Sequence, residues 1–160
     1  MTEATTPALG PLMSQLAGFL ETEEWRYHVV EGEPLLHMGF SGANGRWYCF
    51  AQAREDFNQL LFYSVLLPQT PPDRIYAMAE FIARVNYGLA LGNFELDFSD
   101  GEVRFKTSLD ATDLPAAALD DHIRNLVYGN LLTVDHYHEG AVRVMETDVA
   151  PEDVAAELDS

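Results

Sequence analysis

The strongest constraint on the fold of this 160-residue chain is a run of alternating residues that one turn signal interrupts. Apolar and charged residues alternate from Phe94 to Phe98, and apolar and polar residues alternate again from Val103 to Leu109. Asp100-Gly101 lies between the two runs and is a preferred two-residue hairpin turn. Strict alternation is typical of a strand with one buried face. The sequence therefore predicts an antiparallel hairpin over 94–109.

A two-residue turn also predicts which residues of this hairpin face each other. The predicted pairs are Ser99–Glu102, Phe98–Val103, Asp97–Arg104, Leu96–Phe105 and Glu95–Lys106. Opposite charges then meet on the solvent face, where each such pair contributes ~0.2–1 kcal/mol. Apolar pairs form the core face.

The periodicity of the rest of the chain predicts an α+β fold. Helical spacing follows Pro11, which suits the first turn of a helix, and alternation or β-branched runs mark the strands. The predicted strands are Trp25–Val30, Leu35–Ser41, Arg46–Ala53 and Gln59–Leu67, and the predicted later helices are Pro72–Leu89, Ala116–Met145 and a short one from Pro151. The order is α-β-β-β-β-α-β-β-α before this last short helix.

Two local features leave alternatives open. The connection Gly42–Gly45 has either two or four loop residues, so the register of the third strand against the second is undecided. Gly129 and Gly140 fall inside the long helical run and could mark bends.

The fourth predicted strand is apolar on both faces. Leu60 and Phe62 point to one side, and Tyr63 and Val65 point to the other. A strand of this kind is expected to be covered on both faces. A helix can cover one of them, and a second subunit or a client protein is the candidate for the other.

The charge of the chain limits its partners. It has 26 acidic and 9 basic residues, a formal net charge of −17. Such a surface repels nucleic-acid phosphates and anionic lipid, so neither direct nucleic-acid binding nor membrane binding is predicted. The same charge favours basic proteins.

Composition and segment patterns predict the cellular context and domain organisation. Cys49 is the only cysteine, so no intramolecular disulfide forms and a reducing cytoplasm is expected. Pro11 interrupts the first apolar stretch, which is typical of neither a signal peptide nor a membrane span. We predict one domain over 1–160, with a frayed segment at 1–8 and an acidic C-terminal segment with a short helix at 147–160.

No residue pattern indicates catalysis or a cofactor. Gly39–Gly42 lacks the glycine spacing of a nucleophile elbow, and a strand follows it instead of a helix. Asp135, His138 and Glu139 could share one face of a helix, but a solvated polar face is the preferred interpretation, so no metal site is predicted. Cys49 lies between aromatic residues of a strand and is expected to be an inert buried thiol.

Several segments resemble the YbjN family, whose members are described as bacterial sensory transduction regulators. The resemblance extends from about Leu16 to Leu158 and is most specific between Gln59 and Leu109. Its motifs are Phe62-Tyr63-Ser64-Val65, Ala79-Glu80-Phe81-Ile82-Ala83-Arg84-Val85-Asn86-Tyr87-Gly88-Leu89, Gly92-Asn93-Phe94-Glu95-Leu96-Asp97, Asp100-Gly101-Glu102-Val103-Arg104-Phe105-Lys106-Thr107-Ser108, Leu126-Val127-Tyr128-Gly129-Asn130 and Asp135-His136-Tyr137. A final helix that begins at Pro151-Glu152 completes the pattern.

The resemblance implies the fold of type III secretion chaperones, a twisted antiparallel sheet with flanking helices. It also implies a homodimer that binds other proteins. The family has no established catalytic residues, so the resemblance assigns none to this chain.

Two hypotheses for the function follow. The first is a non-enzymatic adaptor or regulator, a chaperone-like dimer that binds a basic protein client, for example a secreted or a nucleic-acid-binding protein. The alternative is a regulatory domain that senses a small ligand or a cation. Asn86 and Asn130 motivate the alternative, because each is a polar residue on an otherwise apolar helix stripe. Amides that bond neighbouring backbone are the simpler explanation for both.

The dimer or partner surface is assigned to five residues. Tyr76, Phe81 and Tyr87 lie on the predicted helix Pro72–Leu89, and Tyr63 and Val65 lie on the fourth predicted strand.

Overall fold

A six-stranded antiparallel sheet organises the computed structural model, which describes residues 9–159. In chain order the elements are α1 (Pro11–Thr22), β1 (His28–Val29), β2 (Leu35–Ser41), β3 (Arg46–Arg54), β4 (Gln59–Val65), α2 (Ile75–Gly88), β5 (Asn93–Leu96), β6 (Val103–Asp110), α3 (Ala116–Glu146) and α4 (Pro151–Leu158). The strands lie in the order β1-β2-β3-β4-β6-β5. The predicted α+β class and element order are confirmed, while the predicted frayed segment 1–8 lies outside the described residues.

The two faces of the sheet differ in what covers them. In β3, Trp47, Cys49, Ala51 and Ala53 are buried, whereas the intervening residues are exposed or half-buried. Helix α3 packs on β4 and β6, and α1 packs on β3 and β4. Burial alternates in the same way along β2 and β6. One face of the sheet therefore lies under helices, and we call the other one the open face.

Helix α1 begins at Pro11 as predicted, and its N-terminus is capped by the side chain of a residue that is distant in the sequence. The carboxylate of Glu55, in the connection between β3 and β4, accepts hydrogen bonds of 3.1 Å from the backbone N–H groups of Leu12 and Met13. The first N–H groups of a helix have no intrahelical partner, and a negative charge there is favourable. A Cβ at Gly10 would lie 2.3 Å from this carboxylate, so glycine permits the contact.

The predicted hairpin exists, but its predicted register is wrong by two residues. Leu96 lies opposite Val103, Glu95 opposite Arg104, Phe94 opposite Phe105 and Asn93 opposite Lys106. The connection therefore spans six residues instead of two. A shift of two keeps every side chain on its predicted face, because side chains alternate with a period of two.

Hydrogen bonds inside the connection explain the wider loop. The side chain of Asp97 accepts bonds from the backbone N–H of Ser99 at 2.8 Å and from its hydroxyl at 2.6 Å. Gly101, with φ +81°, donates its N–H to the carbonyl of Asp97. Its own carbonyl accepts a 2.8 Å bond from the N–H of Thr70. The loop is thereby held against the segment before α2.

The loop between β2 and β3 has four residues, which settles the register that the sequence left open. Ser41 pairs with Arg46. Asn44 donates its backbone N–H to Asp135 at 2.8 Å, and this bond fastens the loop to α3. A Cβ at Gly42 would lie 2.2 Å from the same carboxylate, so the close approach requires glycine.

Helix α3 runs without interruption through both of its internal glycines. Gly129 is exposed with open space beside it, whereas a Cβ at Gly140 would lie 2.6 Å from Leu158 and 3.0 Å from Val154 of α4. Gly140 therefore allows α4 to pack closely on α3 and does not mark a bend.

Candidate protein-binding surfaces

Two of the three residues considered as metal ligands, Asp135 and His138, have contacts with the β2–β3 hairpin. Asp135 bonds Asn44, and the ring of His138 stacks on Trp47 with centroids 5.6 Å apart. A ring nitrogen of His136 lies 2.9 Å from the carbonyl oxygen of Leu158. Over residues 9–159 no group of three or more His, Cys, Asp or Glu side chains is placed to bind a metal ion.

Cys49 is fully buried on the helix-covered face of β3. Burial raises the pKa of its thiol to about 12, and this effect exceeds the opposing hydrogen bonds from Ser64 and Trp47. The nucleophilic form of cysteine is the thiolate. A thiol with this pKa and no exposed surface is unsuited to nucleophilic chemistry.

Asn130 forms its hydrogen bonds with residues of the sheet. Its carboxamide oxygen accepts a 2.6 Å bond from Ser64, and its NH₂ group lies 3.0 Å from the carbonyl of Phe62 and 3.1 Å from that of Phe105. The hydroxyl of Thr107 lies 3.2 Å from the same NH₂ group. These contacts agree with the simpler explanation from the sequence, in which the amide of Asn130 bonds neighbouring groups of the protein.

Asn86 has a similar role at the edge of the sheet. Its carboxamide oxygen accepts the N–H of Phe94 at 2.8 Å, and its NH₂ group donates to the carbonyl of Phe94 at 3.0 Å. The side chain thus occupies the outer edge of β5, where an unpaired strand would otherwise attract another chain. Both asparagines therefore have hydrogen-bond partners within the protein, as the simpler of the two explanations expects.

The residues predicted for a partner surface fall into three places. Tyr76 and Tyr87 on α2 are 82% and 96% exposed, and their spacing of 11 residues puts them about 20° apart around the helix. Phe81 is 1% exposed and packs in the core, so it contributes nothing to that surface. Tyr63 and Val65 lie on the open face but are only 6% and 2% exposed, and the ring of Tyr63 packs against Phe50 and the guanidinium of Arg104.

An exposed aromatic pair lies at the start of α2. The rings of Tyr76 and Phe98 meet edge to face with centroids 6.1 Å apart, and Phe98 is 60% exposed. The predicted two-residue turn would have paired Phe98 with Val103 on the core face. The observed six-residue connection instead brings Phe98 to α2. The sequence alone gave no signal for this pair, because the loop conformation determines it.

A groove runs between α2 and α4 with a volume of about 620 Å³. The small apolar part of its lining, which we call the floor, consists of Ala83, Ala155 and Ala156, and Tyr87 also lines the groove. Small residues on facing helices leave this space open. The groove therefore has the apolar floor that a side chain or a helix of a partner requires.

The rim of the groove is acidic. Glu80, Glu152 and Asp159 line it, together with one cation, Arg84. Arg84 lies 2.9 Å from Glu80 and 3.7 Å from Glu152, so two carboxylates already share its charge. The rim therefore presents net negative charge. The acidic C-terminal segment, recognised from the sequence as a run without bases, supplies two of these carboxylates.

No helix over residues 9–159 is long and apolar enough to cross a membrane.

Comparisons with known proteins identify the fold. The crystal structure of YbjN, "a putative transcription regulator from E. coli", superimposes with a TM-score of 0.58 at 12% identity, covering 82% of this chain and 95% of that one. A chain of the ExsC–ExsE complex superimposes with a TM-score of 0.52 at 12% identity, covering 80% and 91%. The fold that the resemblance implied is confirmed.

A family model identifies the relationship at the level of sequence. The YbjN model, described as "Putative bacterial sensory transduction regulator", matches residues 13–127. No curated protein matches the chain. The match ends before α4, so the C-terminal part of the resemblance stays a prediction. The family match covers most of the chain and agrees with the fold, and the chain belongs to the YbjN family.

Proposed function

We propose that this protein is a non-enzymatic, chaperone-like adaptor that works as a homodimer in the cytoplasm and binds a basic protein client. The observation on which this proposal rests is the groove between α2 and α4, with its alanine floor and acidic rim. The client segment is a basic amphipathic helix or strand, whose apolar side lies on the alanines and whose cations meet the carboxylates.

The overall charge of the chain supports a basic client. A net charge of −17 accelerates encounter with a basic protein and discriminates against acidic ones. Arg84 does not prevent such binding, because a cation of the client can take over Glu80 or Glu152.

The fold and family support the same role. The family is described as a regulator of sensory transduction and not as an enzyme. A chain with this fold occurs in the ExsC–ExsE complex, so the fold is compatible with holding a second protein.

Affinity capture from the native organism tests the proposal. The tagged protein is retained at low and at high salt, and its companions are identified by mass spectrometry. We expect one stoichiometric basic protein that dissociates as salt rises, since exposed charge pairs are screened. A protein recovered without any companion at either salt concentration contradicts the proposal.

The purified client then allows the groove itself to be tested. Glu152→Lys reverses a charge on the rim and is expected to weaken binding by about tenfold or more. Asp153→Lys makes the same change on the next residue, which does not line the groove. Calorimetric titration of both variants separates a local contact from the general charge effect, and equal losses would remove the groove from the proposal.

A second variant tests the apolar floor without any change of charge. Ala83 is exposed on α2 and faces the groove, so Ala83→Leu fills the space that the client needs. We expect weaker binding with unchanged salt dependence. Unaltered affinity would show that the client binds elsewhere.

The homodimer is tested separately at the Tyr76–Phe98 pair. Exposed aromatic clusters mark protein interfaces. Light scattering coupled to size exclusion is expected to give a dimer mass for the native chain and a monomer mass for the Tyr76→Ser, Phe98→Ser variant. A native monomer contradicts the dimer, and a variant that stays dimeric moves the interface to another surface.

A further inference from the structure

An arginine of the protein joins the two walls of the groove. Nε of Arg84 on α2 lies 2.9 Å from Oε1 of Glu80 on the same helix, and its Nη2 lies 3.7 Å from Oε2 of Glu152 on α4. The contact with Glu80 is a hydrogen bond, whereas the contact with Glu152 is too long for one. Two carboxylates therefore share the charge of Arg84 unequally, and the one on α4 is held more weakly.

The rim of the groove carries more negative charge than Arg84 neutralises. The third carboxylate of the rim, Asp159, follows the last residue of α4 and accepts a 3.2 Å hydrogen bond from the hydroxyl of Tyr137. The side chain of Arg84 is 42% exposed, and those of Glu80 and Glu152 are 47% and 69% exposed. Ion pairs with this exposure are weak, so another cation can exchange with Arg84 at little cost.

The arrangement of these carboxylates suits a guanidinium. Glu80 and Glu152 lie on different helices, and Arg84 contacts both because its nitrogen atoms are spread over a planar group. A guanidinium can also place two parallel N–H groups on one carboxylate, whereas the ammonium of lysine is a compact point charge. The group that the protein itself places between the walls therefore indicates the chemistry of the client's cation.

We infer that Arg84 is an internal competitor for the client's cation, and that this cation is an arginine. The inference rests on the proposed function and specifies the partner at the same groove. In the complex, the client's guanidinium binds Glu152, while Arg84 keeps its shorter contact with Glu80. The apolar side of the client segment lies on the floor of the groove at the same time.

Such a competitor contributes specificity in a strongly acidic protein. A net charge of −17 attracts basic proteins of every kind. Arg84 reduces the negative potential at the rim, so charge alone is less effective there than elsewhere on the surface. A client must add apolar contacts with the floor to its ion pair, and proteins that are only basic are disfavoured.

The test measures binding of two labelled amphipathic peptides to the full chain by fluorescence anisotropy at low salt. Both consist of Ala, Leu and one kind of basic residue, arginine in the first peptide and lysine at the same positions in the second. Arg84→Gln is expected to strengthen binding of the arginine peptide about fivefold, because Glu152 then has no competitor. The native chain should bind the lysine peptide about threefold more weakly than the arginine peptide.

Arg143→Gln is a closely matched control. Arg143 on α3 pairs with Glu157 of α4 at 2.7 Å, and their side chains are 43% and 57% exposed, but neither residue lines the groove. The variant makes the same change of charge and takes a partner from a carboxylate of the same helix. We expect its affinity for the arginine peptide to stay within about twofold of the native value, since exposed charges outside the groove are screened. Damage to the groove would weaken binding, so a gain confined to Arg84→Gln cannot come from it.

The outcomes separate this inference from the proposed function. Equal gains in the Arg84 and Arg143 variants, or no gain in either, overturn the competitor and leave the groove as the binding site. Equal affinities of the native chain for the two peptides overturn the choice of arginine. If neither peptide binds the native chain or the Arg84→Gln variant, both the inference and the groove of the proposed function are wrong.

Discussion

The carboxamide oxygen of Asn130 on α3 accepts a 2.6 Å hydrogen bond from the hydroxyl of Ser64 on β4. Ser64 in turn accepts a bond from the indole of Trp47 at 3.0 Å. A buried polar network of this kind fixes the position of α3 over the sheet, because each polar group finds its partner only in one arrangement. It also places α4, which packs on α3, and therefore one wall of the groove.

Asn130→Ala is expected to lower the free energy of unfolding by ~2–4 kcal/mol, because it leaves buried polar groups without partners. Chemical denaturation measures the loss. The control is Asn125→Ala on the exposed side of the same helix, which should change stability by less than ~0.5 kcal/mol. A loss of similar size in both variants would contradict a special role for the network.

The Asn130→Asp variant adds a pH dependence with a definite sign. A carboxylate in this place would face the carbonyl oxygens of Phe62 and Phe105 in a buried site, which raises its pKa above the ordinary value near 3.9. A raised folded pKa means that stability is present below the unfolded pKa and lost as pH rises. The variant should therefore be closest to wild-type stability in acid, and denaturation at several pH values would reveal the opposite trend if the argument fails.

Asn86→Ala is expected to expose the edge of β5. The N–H of Phe94 loses its 2.8 Å acceptor, so its hydrogen exchange should accelerate by tenfold or more. Amide exchange followed by NMR measures this at a single residue. In the Asn86→Asp variant the acceptor remains and only the donor is lost, so the amide of Phe94 should keep most of its protection. Equal acceleration in both variants would indicate general loosening of α2.

The two glycines of α3 are expected to respond oppositely to the same substitution. Gly129→Leu places a side chain in open space and improves helix propensity, so stability should rise by up to ~1 kcal/mol. Gly140→Leu collides with Leu158 and Val154 and should cost ~1–3 kcal/mol while displacing α4. Thermal or chemical denaturation checks the sign. Two stabilised variants would mean that α4 is loosely held.

Cys49 is expected to resist modification in the folded state. With a pKa of about 12 almost no thiolate exists at pH 8, and the side chain is fully enclosed. Iodoacetamide should therefore label the native protein far more slowly than the urea-unfolded one. Cysteine in place of Ser108, which is exposed on β6, provides a reactive control in the same sheet. Equal labelling rates for the two sites would contradict the enclosed thiol.

The same thiol predicts a loss of stability in alkali. Its folded pKa of about 12 lies above the ordinary value of 9.0. Its contribution is fully present below pH 9 and is lost as pH rises toward 12, because the unfolded state releases the proton first. The stability difference between the native chain and Cys49→Ala should change over this window and stay constant below it. If this stability difference were constant at every pH, the thiol would be exposed to water and the argument would be wrong.

The local sequence pattern was sufficient to predict most helices and strands. It was not sufficient to predict the details that depend on contacts between them. Pro11 and Pro151 begin helices as predicted, since proline fits the first turn wherever the helix later packs. The strand predicted over 25–30 pairs only at His28–Val29, because pairing requires a neighbour and not only β propensity. The candidate surface divides in the same way: Tyr76 and Tyr87 are exposed as a helical face predicts, whereas Phe81 is in the core.

The sequence by itself determined the secondary structure, its order and the faces of the strands, because each of these follows from residue periodicity and from the preferences of proline, glycine and alternating side chains. Only the tertiary structure decided the hairpin register, the Tyr76–Phe98 pair, the groove between α2 and α4 and the position of Glu95 between two cations. These features depend on contacts between residues far apart in the chain, such as Thr70 with Gly101, or on how separate elements pack. A shift of two residues leaves the alternating pattern unchanged, so no local signal could have chosen between the registers.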